Sequence, residues 1–308
     1  MIKLISGLLL GFFAAAVLSE EPRETWSSGP AVPAGFYASS FAYDAKRARY
    51  FVGSYQNGEV LVLDSRGQFL QRIRSSETRR IRQLRFDARD QSLWVVSNRG
   101  IEQYAADALP SIRMLNRWSF SSVADIAVRD AKTLVALDAV KGELFQIDRR
   151  SGATRSLVSF FHEGRAVCAH NGALLVRTDE GDAFVALGDA LWRVDLRSGD
   201  KHRVDLPLRN VSQLVALDSG RVLAMQGEVN HAVLLHLDDG GRVNVVERLG
   251  LQATQALYAG GVIHVLDGSL RHHTDFCGDG RPNVNTRLRS VALRMPMLEL
   301  AHRANRGD

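Results

Sequence analysis

A period of just over 40 residues runs through most of this 308-residue chain, and it constrains the fold more than any other feature. Short apolar runs recur as RYFVGS at 49, SLWVVS at 92, TLVALD at 133, ALLVRT at 173, RVLAMQ at 221 and VIHVLD at 262. Their starts lie 43, 41, 40, 48 and 41 residues apart. A second series follows 10 to 20 residues behind, as in LVLDSRG (61–67), FQIDRRSG (145–152), WRVDLRSG (192–199) and LLHLDDGG (234–241), each an alternating strand closed by Asp and a glycine turn. IEQYAADA is a weaker copy of it. A third series precedes the first (SSFAYDAK, RQLRFDAR, ADIAVRDAK, SQLVALDSG, TQALYAGG), and a fourth follows the turns (ATRSLVSF, RVNVVERL).

Four short strands per unit is the signature of a propeller blade. We therefore read an all-β fold, a six-bladed β-propeller with four-stranded blades of about 40–48 residues, over residues 36–290. A sandwich needs no regular period across the chain, and no amphipathic helix interrupts the units as an α/β fold would require. One blade cannot bury both of its faces, so blades must stack in a closed ring. Residues 20–35 or 291–308 are the candidates for an extra outer strand that closes it.

Hydrophobic content of 45% and charged content of 24% are those of a globular chain. The formal charge of +5 reflects 39 Lys and Arg against 34 Asp and Glu, with the arginines spread along the sequence. The one compact basic cluster, RRIR at 79–82, lacks interleaved aromatic residues, which speaks against a nucleic-acid partner. The N-terminus carries Lys3 and then an apolar run from Leu4 to Leu18, short for a membrane span and laid out as a secretory signal cleaved after Ala16 or Ser19. The expectation is a signal peptide at 1–19, extensions at 20–35 and 291–308, a periplasmic or secreted location and no stable membrane span after cleavage. The alternative is an uncleaved anchor. Cys168 and Cys277 form no disulfide framework. The repeat places them on an inner strand of the fourth blade and in an outer turn of the sixth, so they are expected to be separate thiols.

TDFCGDGRPNVN (274–285) has the outline of a calcium loop, with Asp275, Asp279 and Gly280 in place. Cys277 and Thr286, however, stand where oxygen ligands and an acidic residue belong. Its likeness to DGGRVNVVERL, 39 residues earlier, assigns it to a third-to-fourth strand turn. A propeller site is expected at the channel mouth, where the loops between blades and those joining second to third strands converge. The innermost strands offer Ser40, Gln83, Asp125, Gln213 and Gln255. The ends of the second strands offer Ser54, Ser97, Asp138, Thr178, Gln226 and Asp267. The ring would coordinate a cation or hydrogen-bond a polar small molecule, or simply hold water. His162, Glu163 and Arg165 in FHEGR, and Asp179, Glu180 and Asp182 in an apparent insertion of the fourth blade, would overhang the same face. We take Ser40, Gln83, Asp125, Arg165, Gln213 and Gln255 as ligand-binding candidates, with Asp138 and Asp267 as candidate metal ligands. The nine histidines show no metal spacing, and no G-x-S-x-G, zinc motif or phosphate loop occurs.

FYASSFAYDAKRARYFVGSYQNGEVLVLDSRGQ resembles the first blade of the gluconolactonase and senescence-marker-protein family of six-bladed propellers, which includes calcium-dependent lactonases. The resemblance implies a divalent cation at the mouth, held by a Glu that falls on Ser39, an Asn that falls on Ala124 and an Asp kept as Asp138. Asp125 and Asp267 would have to compensate for the two missing ligands. Lactone hydrolysis needs the cation to polarise the carbonyl or activate water, together with a base. Two functions follow: an exported, non-catalytic propeller binding a small polar ligand or a partner protein at its mouth, or a divergent lactone or ester hydrolase using Ca²⁺ or another divalent cation. A third is an envelope-assembly scaffold acting through the rim.

Overall fold

The computed structural model describes residues 24–28, 36, 38–74, 80–107, 109–160, 172–188, 190–204, 211–218, 220–226, 231–237, 243–249, 255–259, 261–268 and 286–291. Their strands pair as six four-stranded antiparallel sheets. In chain order, β1 (Glu24–Ser28) stands apart and is taken up again at the end. Sheet 1 holds β2 (Ala38–Asp44), β3 (Arg49–Ser54), β4 (Glu59–Asp64) and β5 (Phe69–Arg74). Sheet 2 holds β6 (Gln83–Asp87), β7 (Ser92–Val96), β8 (Ile101–Ala105) and β9 (Arg113–Trp118). Sheet 3 holds β10 (Val123–Val128), β11 (Thr133–Asp138), β12 (Glu143–Asp148) and β13 (Thr154–Ser159). Sheet 4 holds β14 (Gly172–Arg177), β15 (Asp182–Leu187), β16 (Ala190–Asp195) and β17 (Lys201–Val204). Sheet 5 holds β18 (Val211–Asp218), β19 (Arg221–Gln226), β20 (His231–Leu237) and β21 (Val243–Leu249). Sheet 6 holds β22 (Gln255–Ala259), β23 (Val262–Gly268) and β24 (Thr286–Val291), with β1 as its fourth strand.

Each strand is too short to stand alone, and the turns that join the strands are built into the sequence. The Asp that ends a third strand, three or four residues before a glycine, folds the chain back. The Asp64 carboxylate accepts the N–H groups of Arg66 and Gln68 at 2.8 Å each, Asp148 those of Arg150 and Ser151 at 3.1 and 2.7 Å, and Asp195 those of Arg197 and Ser198 at 2.7 and 2.9 Å. The Ser151 hydroxyl and N–H hold the Asp148 carboxyl below the usual carboxylate range. The glycine then takes positive φ, 78° at Gly67, 74° at Gly152 and 81° at Gly199, where a side chain is strained. At Gly152 a Cβ would also meet the Trp118 ring at 2.0 Å.

The apolar core lies between sheets. Six clusters fill the junctions 1–2, 2–3, 3–4, 4–5, 5–6 and 6–1, the last joining Phe36, Phe41, Tyr50 and Leu63 to Leu266. The first strands of successive sheets adjoin in a closed cycle that returns from β22 to β2. Closure uses the N-terminal alternative, because β1 pairs with β24, so the extension at 20–35 contributes a strand to the ring. Among the described residues no helix is long and apolar enough to cross a membrane.

The 6–1 seam carries a titratable contact. His264 Nδ1 lies 2.8 Å from the Tyr50 hydroxyl, and its ring stacks on Tyr43 at 5.0 Å. Burial depresses the imidazole pKa below its ordinary value, opposed by the hydrogen bond to Ala259. A depressed folded pKa gives a contribution that is complete above about pH 6.5 and is lost as the pH falls through the folded value. The parent is therefore expected to lose more thermal stability than His264→Gln between about pH 7.5 and 5. Parallel melting curves across that range would remove the seam from the acid response.

The strand order corrects three expectations. ALLVRT belongs to β14, the first strand of sheet 4 and not its second. An alternating run of six has the same pattern in either place. Asp179, Glu180 and Asp182 thus belong to the tight first-to-second turn, at the end of the ring opposite the mouth, with Thr178 beside them. Arg177 and Arg193 bind Asp182 there, at 2.5 and 2.6 Å. The extra residues of this unit lie instead before β14, between sheets 3 and 4. Third, 269–285 links the second and third strands of sheet 6, not the third and fourth. Its calcium-like outline, Cys277, and the candidates His162, Glu163, Arg165 and Cys168 lie outside the described residues.

Candidate functional site

The inner-strand candidates are brought together, but as an inter-sheet belt. Ser40, Gln83, Asp125, Gln213 and Gln255 are all buried. Four of them accept the N–H of the next sheet's first strand: Leu84 to Ser40 Oγ at 2.7 Å, Leu174 to Asp125 Oδ2 at 3.0 Å, Ala256 to Gln213 Oε1 at 2.7 Å and Phe41 to Gln255 Oε1 at 3.1 Å. Gln83 Oε1 accepts the Ser40 hydroxyl at 2.8 Å and Gln255 Nε2 at 2.9 Å. First strands have one edge with no strand partner, and the belt satisfies backbone groups there that would otherwise be orphaned. Sheet 4 has Ala173 at the matching place, with nothing to offer. Asp125 also takes the Ile126 N–H at 2.8 Å and Arg85 Nη2 on both oxygens, at 2.9 and 2.7 Å. Burial pushes its carboxyl up, while the Arg85 guanidinium pulls it down.

Among the second-strand ends, the described cluster gathers over sheets 1 to 3. Ser54 closes β3, and its carbonyl accepts the Ile81 N–H. Arg82, next in the chain, donates its N–H to the Val96 carbonyl at 2.8 Å, and Ser97 and Asn98 follow Val96. Arg82 Nη1 reaches on to the carbonyls of Val123 at 2.8 Å and Ser121 at 3.3 Å. Arg80, held at φ 56°, places its guanidinium 5.9 Å from the Tyr55 ring centre. Burial lowers the Arg82 pKa, Tyr55 raises it, Arg80 lowers it and Asp138 raises it, so these four groups share one field. Three buried polar atoms of this neighbourhood, Ser54 Oγ, Arg82 Nε and Asn98 Oδ1, have no hydrogen-bond partner.

Asp138 is already engaged. Its Oδ2 accepts the Ser122 hydroxyl at 2.5 Å and its Oδ1 the Lys141 N–H at 2.9 Å. Asp267 lies in β23 of sheet 6 and Asp138 in β11 of sheet 3. Among the described residues no group of three or more His, Cys, Asp or Glu side chains is placed to hold a metal ion. Ser39, at the family's Glu position, donates to the carbonyls of Ile81 at 2.6 Å and Gly53 at 3.3 Å, and Ala124 has no ligating atom. Ser39 and Ala124 do not supply the two ligands that the resemblance implies at their positions. Sequence reasoning missed Tyr55, Arg80, Arg82 and Asn98. The available signal was RRIR immediately before a first strand, a position at the mouth.

No family model matches the chain, and no curated protein does. Solved structures do. The WD40 repeats of RRP9 align at 13% identity and TM-score 0.60, covering 83% of this chain and 80% of that one. U3-55K aligns at 12% and 0.59 with the same coverage, and streptogramin B lyase at 9% and 0.57 over 78% of each chain. The likeness is one of fold. The chain is an all-β propeller of four-stranded blades, and the expected gluconolactonase-type kinship goes no further here than that architecture.

Proposed function

We propose that this chain is an exported six-bladed propeller that binds a small polar ligand at its mouth over sheets 1 to 3, without catalysis. The observation carrying this reading is that Ser54 Oγ, Arg82 Nε and Asn98 Oδ1, at the mouth ends of sheets 1 and 2, are buried without a hydrogen-bond partner. A buried polar group without a partner costs about 1–3 kcal/mol. Native chains leave few such groups unless a ligand or an ordered water completes them. Among the described residues the carboxylate that shares this field, Asp138, is tied to Ser122 and Lys141, and the Arg82 guanidinium, with its Nε unpartnered, favours a ligand that carries hydrogen-bond acceptors. A partner protein offering such a group from a loop would use the same surface.

The test is a thermal-shift panel of small carboxylates, phosphates, sugars and calcium chloride, run on the parent, Arg82→Met, Arg82→Lys and Asp138→Ala. A bound compound at 100 times its Kd stabilises by about 2.7 kcal/mol. The expected result is an acceptor-rich compound whose shift disappears in Arg82→Met. A panel without any shift, or shifts indifferent to Arg82, would sink the mouth reading. A calcium shift lost in Asp138→Ala would replace it with the divalent-metal hydrolase.

A further inference from the structure

The turn from β3 to β4, at the mouth end of sheet 1, carries Asn57 followed by Gly58. Gly58 stands at φ 67°, where a side chain is strained. The turn therefore favours a glycine there, and a glycine leaves its backbone nitrogen unshielded by a Cβ. Asn57 is exposed, and both ends of its amide are held by Glu59. Oδ1 accepts the Glu59 N–H at 3.3 Å, and Nδ2 donates to Glu59 Oε2 at 3.2 Å. The first of these bonds closes a ring through the Asn57–Gly58 peptide, the local turn that short amide side chains make. It keeps Cγ folded back along the peptide whose nitrogen can attack it. The same N–H polarises the carbonyl, and the Glu59 carboxylate holds the nitrogen that must leave.

Asn98 and Asn116 lack this arrangement. Each precedes an arginine, whose side chain crowds the following nitrogen, and Asn116 Nδ2 is bound to Gln103 Oε1 at 2.8 Å. A second Asn–Gly pair occurs at 171–172, but Asn171 lies outside the described residues.

We propose that Asn57 is a self-modification site, at which the Gly58 nitrogen displaces ammonia and water opens the product. The Gly58 N–H gives up its proton, and the nitrogen bonds to Asn57 Cγ. The Cγ–Nδ2 bond breaks, and Nδ2 leaves as ammonia with that proton. The cyclic imide then takes up one water at either of its carbonyls. One opening gives aspartate on the original backbone, and the other gives isoaspartate, whose backbone runs through the former side chain. Either product puts a carboxylate where an amide had donated to Glu59, and like charges oppose each other there. Arg74 Nε at 2.6 Å from Glu59 Oε1 and Arg72 Nε at 3.7 Å from Oε2 offset part of that repulsion. Isoaspartate also lengthens the turn by one carbon, which strands paired as far as Gly53 with Val60 must absorb.

The experiment holds the full chain in mildly alkaline buffer, folded and in guanidinium chloride, and weighs its tryptic peptides over time. The peptide 50–66 contains Asn57 as its one asparagine. It is expected to show the mass change of an amide-to-acid exchange in the folded chain, placed on residue 57 by fragmentation, while Asn98 and Asn116 stay intact. An isoaspartate-specific methyltransferase should label part of the product. Gly58→Ala, compared with the parent in guanidinium chloride so that its fold is immaterial, should convert several-fold more slowly. Asn57 still intact in the folded chain once the unfolded chain has converted overturns the proposal. Conversion of Asn98 or Asn116 at the same rate overturns it too. Aspartate without isoaspartate, or a rate unchanged in Gly58→Ala, would mean direct hydrolysis and sink the imide route. None of these outcomes depends on the mouth ligand.

Discussion

Asp125→Ala is expected to lower the unfolding free energy by about 3–5 kcal/mol, the range found when one partner of a buried ion pair is removed. Asp125 is 1% exposed and joins three sheets: its own through Ile126, sheet 2 through Arg85 and sheet 4 through the Leu174 N–H. Truncation leaves the Leu174 N–H without its acceptor and strands a guanidinium that also holds the Ile126 carbonyl at 3.1 Å. Asp125→Asn should cost less, because burial already disfavours the charged form and the amide oxygen can still accept from Leu174. The double replacement Asp125→Leu with Arg85→Met should recover part of the loss, since a paired charge can be exchanged for apolar packing. Urea unfolding at constant m-value measures all three. A loss below about 1 kcal/mol for Asp125→Ala would show that the ring does not depend on this bridge.

Arg149→Ala should cost about 2–4 kcal/mol, by loss of buried charge pairing and of a desolvated cation–π contact. The side chain is 7% exposed and leaves sheet 3 to serve sheet 2. Its Nη1 meets Asp87 at 3.2 Å and the Asp130 carbonyl at 3.0 Å, its Nη2 meets Asp90, and its Cζ lies 5.0 Å from the centre of the Trp94 ring. Asp87 keeps Arg89 as a partner at 2.9 Å, so the expected cost stays below the upper end for a stranded charge. Arg149→Lys should not restore stability, because one ammonium cannot serve Asp87, Asp90 and a ring face together. Trp94 stacks on Trp118 at 5.7 Å, so tryptophan emission reports the same junction. Full rescue by lysine would reduce the contact to charge alone.

Both predictions concern side chains whose roles the sequence left open. Asp125 and the glutamines were visible as polar residues at matching points of successive units, and that regularity suggested a ring. Whether a ring faces a ligand or stitches strands together depends on where the next backbone N–H lies, which spacing does not encode. The arginines looked evenly dispersed because they are dispersed in sequence. Arg49 meets the Ala106 carbonyl and Arg149 meets Asp87, 57 and 62 residues away, well beyond one unit of the repeat in both cases. The fourth unit was misassigned because ALLVRT alternates as well in a first strand as in a second, and only pairing with β15 settles the choice. Asp138 was found, and its carboxylate accepts from Ser122 and Lys141.

By itself the sequence determined the four-strand unit and its turns, since alternation, the Asp–Gly turn signal and the 40-residue period are local properties that survive without knowledge of neighbours. It also marked the mouth as the place for polar side chains. The tertiary structure decided that β1 closes the ring and that the inner polar residues bind the sheets to one another. It also decided that three unpartnered polar atoms lie at the mouth ends of sheets 1 and 2. Those outcomes depend on contacts between residues a full unit or more apart, and on which backbone groups the pairing leaves unsatisfied.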